Sequence, residues 1–177
     1  MSNSAMNPRA TAMKIAIAAA SLSSLLFISA ASADPLDDRA KELLPWVAQQ
    51  TGYAADHVKV TVLLVEPRTI NLIAYGISKD DDPKPEAISA GATIFLPTWF
   101  ELGKNDDILV HELTHVLQYA NDATFRCRAE QEKQAYEAQS AFVDESGIGK
   151  KPDPFAMFML HCTAYSVRYP AKASATR

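Results

Sequence analysis

Residues 58–65 alternate strictly, with Val58, Val60, Val62 and Leu64 on one side, the period of a half-buried strand. Glu66-Pro67-Arg68-Thr69 then reads as a turn into a second strand at 70–77, which predicts a hairpin. A third strand is expected at 87–97, with Ile88, Ala90, Ala92, Ile94 and Leu96 on one side and Ser89, Gly91, Thr93 and Phe95 on the other. Helical spacing dominates elsewhere. Leu36, Ala40, Leu43, Leu44 and Val47 recur through 34–50, where Pro45 predicts two short helices or a kink before Gly52. Asn105-Asp106-Asp107 supplies an N-cap and two acids ahead of a helix at 108–120 that is apolar on most sides, and such a helix is buried. A second long helix is expected at 128–145, its inward stripe being Ala135, Tyr136, Gln139, Phe142 and Val143. A last helix at 155–168 places Phe155, Phe158, Met159, Cys162 and Tyr165 within one broad face. No internal repeat is present.

The start of the chain has a different character. Arg9 and Lys14 precede an apolar run at 15–30, which ends in Ala31-Ser32-Ala33 before Asp34. Basic residues, a short apolar core and a small-residue site are the order of a secretory signal peptide at 1–33. The apolar run is shorter than the ~20 residues a spanning helix needs. The expected product is a single domain at 34–177, periplasmic or secreted, with no membrane segment after cleavage. Removing the signal takes the net charge from −4 to about −6, and no basic cluster points to nucleic acid or to an anionic membrane. The acidic, proline-bearing stretch 79–86 has loop composition and lacks the glycine and distal glutamate of a calcium loop. Cys127 and Cys162 are the two cysteines, and in an exported protein a lone pair is most simply a disulfide.

Chemistry is concentrated in the buried helix at 108–120. His111-Glu112-Leu113-Thr114-His115 is an H-E-x-x-H motif. Residues four apart share a helix face, so two imidazoles can reach one zinc ion while Glu112 lies beside the water that the ion activates. A pair of solvated surface histidines fits poorly, because this helix has almost no polar face to turn outward. A catalytic zinc needs a third protein ligand, and the third histidine and glycine of a metzincin are absent after His115. Glu130, Glu132 and Glu137 in the next helix are the candidates. Only Glu132 shares the stripe of Ala135, Tyr136 and Gln139, and a carboxylate facing a core needs a cation. A pair with Arg128, one turn back, is the other account of Glu132. For the oxyanion that develops on an attacked carbonyl, Tyr136, His161 and Tyr165 are candidate donors. His57 reads as a surface histidine.

The run His111 to Gln118, followed by Glu132-Lys133-Gln134-Ala135-Tyr136, resembles the gluzincin metallopeptidases, in which a second helix supplies a glutamate from a Glu-x-x-Ala-Asp type sequence. The resemblance implies an α+β, zincin-like fold: a small, mainly antiparallel sheet, an active-site helix and C-terminal helices. It also implies an edge strand before the active-site helix that pairs with an extended peptide or protein substrate, a place occupied by 87–97. Tyr136 stands where the family carries the acid that orients a histidine, which leaves Asp107 or Asp122 to take that part. The function expected is zinc-dependent hydrolysis of peptide or amide bonds, with His111, His115 and Glu132 as ligands and Glu112 as general base. The alternative is a zincin-shaped module that binds metal or a protein without turnover.

Overall fold

A computed structural model describes residues 34–75, 86–162 and 169–170. The expected signal peptide at 1–33, residues 76–77 of the second expected strand, residues 79–85 of the expected loop at 79–86 and residues 163–168 of the expected last helix, with Tyr165, lie outside the described residues. The first element, α1 (Pro35–Thr51), starts where the Asp34 carboxylate accepts from the Leu36 N–H and stops at Gly52 with φ 76°. Of the two expectations, two short helices or a kink, the first does not hold: the helix is continuous through Pro45. Pro45 lies on the exposed side, and the carbonyl four residues back belongs to exposed Lys41, so the missing hydrogen bond falls on solvent-facing backbone.

The sheet is mixed where a mainly antiparallel one was expected. Strand β1 (Thr61–Val65) runs parallel to β3 (Thr93–Pro97), and β2 (Ile88–Ala90) lies antiparallel on the other side of β3, in the order β1-β3-β2. Parallel neighbours need a crossover, and this explains the clearest departure from expectation: 70–75, the described part of the strand expected at 70–77, is not the second arm of a hairpin. Pro67–Tyr75 forms helix α2 instead, starting from a proline whose fixed φ suits a first turn and burying Ile70 and Asn71. The strand expected over 87–97 is likewise folded back on itself, at Gly91 with φ 60°. That turn resets the alternation. Ile88 now pairs with Phe95, and the core face of β3 carries Ile94 and Leu96, both fully buried.

Helix α3 (Asp106–Ala120) lies against α1, the sheet and α4 (Arg128–Ser146), and its Leu109, Val110, Leu113 and Leu117 are fully buried. Asn105 precedes it without capping through its side chain, which accepts from the Glu101 N–H instead. The first turn is held by its acids. Asp106 is fully buried against the Arg39 guanidinium at 2.7 Å and the Gly103 N–H, and Asp107 accepts from Gln139 at 2.9 Å and from the Lys150 N–H. Gly149 packs so closely on Asp107 that any side chain there would strike the carboxylate. A short connection leads from α3 to α4, within which β4 (Thr124–Phe125) pairs with β5 (Tyr169–Pro170). Helix α5 (Pro154–Met159) has only six residues, and Phe155 and Phe158, expected within one broad face of a longer helix, are 68% and 77% exposed. Among the described residues no helix is long and apolar enough to cross a membrane.

Cys127 and Cys162 form a disulfide, with Cα atoms 5.7 Å apart. It ties the residue that precedes α4 to the chain beyond α5, and the chain-entropy contribution of such a loop is about 4 kcal/mol. Reduction should therefore lower the thermal midpoint markedly, as read by circular dichroism with and without dithiothreitol; equal midpoints would show that the bridge contributes nothing.

Candidate metal centre

The H-E-x-x-H segment occupies the middle of α3, and the spacing does what helical geometry requires. His111 and His115 lie one turn apart with ring centroids 4.9 Å apart, while Glu112 is buried between them in sequence at 5% exposure. The second helix returns across the first after the turn at 121–127, and α4 is phased so that Ala135, Ala138, Gln139 and Phe142 are buried. That phase carries Glu132 to the histidines. Its Oε2 lies 3.2 Å from His115 Nε2 and 3.5 Å from His111 Nε2, and the two ring nitrogens are 3.2 Å apart.

The other two carboxylates lie elsewhere. Glu130 accepts from the Arg126 side chain and N–H, and Glu137, exposed, pairs with Lys133. The competing account of Glu132 proves to be compatible with the first: its Oε1 accepts from Arg128 at 3.1 Å while Oε2 faces the imidazoles. One carboxylate thus serves an exposed cation outward and the centre inward.

Three Lewis-basic atoms converging in this way make a fit test possible. A tetrahedral ion with ligand bonds of ~2.0–2.1 Å has ligand-to-ligand edges of ~3.3–3.4 Å, so the three observed separations have the size of one tetrahedral face. Electrostatics point the same way. Burial opposes the charge on Glu132, but hydrogen bonds from His111 and His115 and their charges outweigh it and hold the carboxyl far below the ordinary range. Burial also opposes a charged His115, yet the hydrogen bond to Glu132, the charges of Glu112 and Glu132 and the bond to Gln118 together raise its pKa. The centre attracts positive charge. His111, His115 and Glu132 fit a divalent cation in number, spacing and chemistry.

The surroundings differ from the expected support. Neither Asp107 nor Asp122 takes the place of the missing acid: Asp107 is committed to Gln139 and Lys150, and Asp122 sits in the turn after α3 with φ 50°. His115 Nδ1 is instead 2.8 Å from Gln118 Oε1, a partner that sequence reasoning missed although its spacing of three residues on one helix could have signalled it. His111 Nδ1 is buried with no hydrogen-bond partner among the described residues. Tyr136 packs its ring against His111, centroids 4.4 Å apart. His161 is exposed beyond α5, and His57 is exposed as expected.

No curated protein and no solved structure matches the chain. The profile of a family described as a domain of unknown function, DUF6647, matches residues 32–168, a span that contains every residue of this centre, and the chain belongs to that family.

Proposed function

We propose that this protein is an exported, zinc-dependent hydrolase of peptide or amide bonds, gluzincin-like in its site and zincin-like in its fold, acting in the periplasm or outside the cell. The observation that carries the reading is the convergence of His111 Nε2, His115 Nε2 and Glu132 Oε2 at 3.2–3.5 Å beside a buried Glu112. The disulfide supports an oxidising location. Further support comes from β2, an edge strand packed on α3 in the place where the family resemblance implies pairing with an extended substrate.

His111, His115 and Glu132 would hold the ion, and zinc bound there supplies Lewis acidity, lowering the pKa of a water toward ~7 and polarising a carbonyl. The carboxylate of Glu112 takes the proton of the attacking water and returns it to the leaving nitrogen. Metal binding alone would not require a base between the two histidines. Of the two described candidates for the donor to the carbonyl oxygen, Tyr136 packs on His111 whereas His161 is exposed, so Tyr136 is the one favoured. Burial first, then the charges of Glu132, Glu86 and Glu112, push its phenol up, so it stays protonated and able to donate at neutral pH.

Three measurements test this reading. Zinc titration should give one ion per chain, with affinity reduced by more than ~100-fold in Glu132→Ala, beyond the range typical of groups that only support a ligand, and nearly native in Glu130→Ala and Glu137→Ala. Absence of zinc binding in the native protein would sink the proposal. On any substrate found in a peptide-library screen, Glu112→Gln should keep its zinc and lose at least ~10²-fold in kcat. Equal turnover would remove Glu112 from the chemistry. Tyr136→Phe should lower kcat by about 10²-fold with zinc affinity unchanged, and a native kcat would exclude its hydroxyl as donor.

A further inference from the structure

Gln118 is fully buried near the end of α3, and each of its polar atoms is used. Its Oε1 faces His115 Nδ1 at 2.8 Å, while its Nε2 donates to the Gln131 backbone carbonyl at 3.1 Å and to Gln134 Oε1 at 2.9 Å. The Tyr53 hydroxyl, from the connection after α1, donates to the same Gln134 oxygen at 3.0 Å.

We propose that Gln118 is the positioning residue of the metal centre, setting the tautomer of His115 and the spacing of the two ligand-bearing helices. This rests on the zinc reading above. The amide orientation is determined by the Gln131 carbonyl, which is backbone and can only accept. Turning the amide over would set Oε1 against that carbonyl and lose the bond to the α4 backbone. With Oε1 therefore toward His115, it favours the neutral tautomer protonated on Nδ1, against the Nε2-protonated one that would donate to Glu132. Its Nε2 then presents a lone pair to His111 and Glu132, the form a metal ligand needs.

The second half of the proposal follows from where Gln131 lies. It is the immediate neighbour of Glu132, so one side chain on α3 grips the backbone of α4 beside the third ligand and the imidazole of the second. Gln134 and Tyr53 extend the grip to the connection after α1. A neutral amide also holds His115 without adding a third carboxylate to a buried centre that already contains Glu112 and Glu132.

The test begins with metal-free native protein, ¹⁵N-labelled at histidine and kept alkaline enough for both imidazoles to be neutral. The ¹⁵N shifts of His115 should report the proton on Nδ1; a proton on Nε2 overturns the proposal. Two variants separate the two roles. Gln118→Met removes every polar contact and should lose the tautomer bias and about 10 to 100-fold in zinc affinity. Gln118→Glu keeps the acceptor for His115 but loses both bonds to α4, so it should retain the tautomer while its thermal midpoint falls. Native tautomer bias and native zinc affinity in Gln118→Met would overturn the assignment. If Gln118→Met does not fold, the spectrum of the native protein decides. A native protein that binds no zinc defeats the metal reading, and the same spectrum still tells whether Gln118 sets His115.

Discussion

Helix α3 is enclosed by α1, the sheet and α4, and the rest of the molecule is arranged around the polar groups it nevertheless carries. A polar atom removed from water must find a partner inside the protein or cost several kcal/mol. Asp106 finds Arg39 on α1, Asp107 finds Gln139 on α4 and the backbone at Lys150, and the Thr114 hydroxyl turns back to the Val110 carbonyl. Each of the first two bonds is also a tie between elements. The demand for satisfaction in one buried helix therefore specifies how its neighbours dock.

At the middle of α3 the same demand is met differently. His111 and His115 are largely buried, and Glu132 reaches them from α4, so two imidazoles and a carboxylate face one another over little more than 3 Å. Such a set is stable only with positive charge in its midst, whether shared protons or a cation. This explains why Glu132 is held anionic despite burial and why His115 is biased toward its charged form. Arg128 on the outer side of Glu132 lessens the cost of holding that carboxylate ready.

What could be read in advance follows from how local each signal is. The spacing of His111, Glu112 and His115 and the phase of Glu132 depend only on the geometry of single helices, so they were legible. The disulfide was legible because two cysteines allow one pairing. Strand partnership is not local. The apolar run around Ile70 and Leu72 suits a strand or a helix, and the choice fell to α2 because β1 pairs in parallel with β3, a fact held far away in sequence. At Gly91 two alternating runs meet across a turn that exchanges their faces, so a single pattern was read through two strands. Gln118 escaped notice because one glutamine on an apolar helix carries no pattern. Its role exists only once Gln131 and Gln134 lie across from it.

The position of the ligands along the chain has a kinetic consequence. His115 and Glu132 are 17 residues apart, on two helices joined by the short connection 121–127, whereas β1 meets β3 only after a much longer excursion. Loop-closure entropy grows with the logarithm of the span, and contacts near in sequence form soonest. During synthesis α3 and α4 emerge after α1, β1, β2 and β3, the elements that cover them, which are then already outside the ribosome. The pair that bears the centre thus closes over a short span and follows the elements that cover it, so its arrival can complete a core whose other walls are waiting.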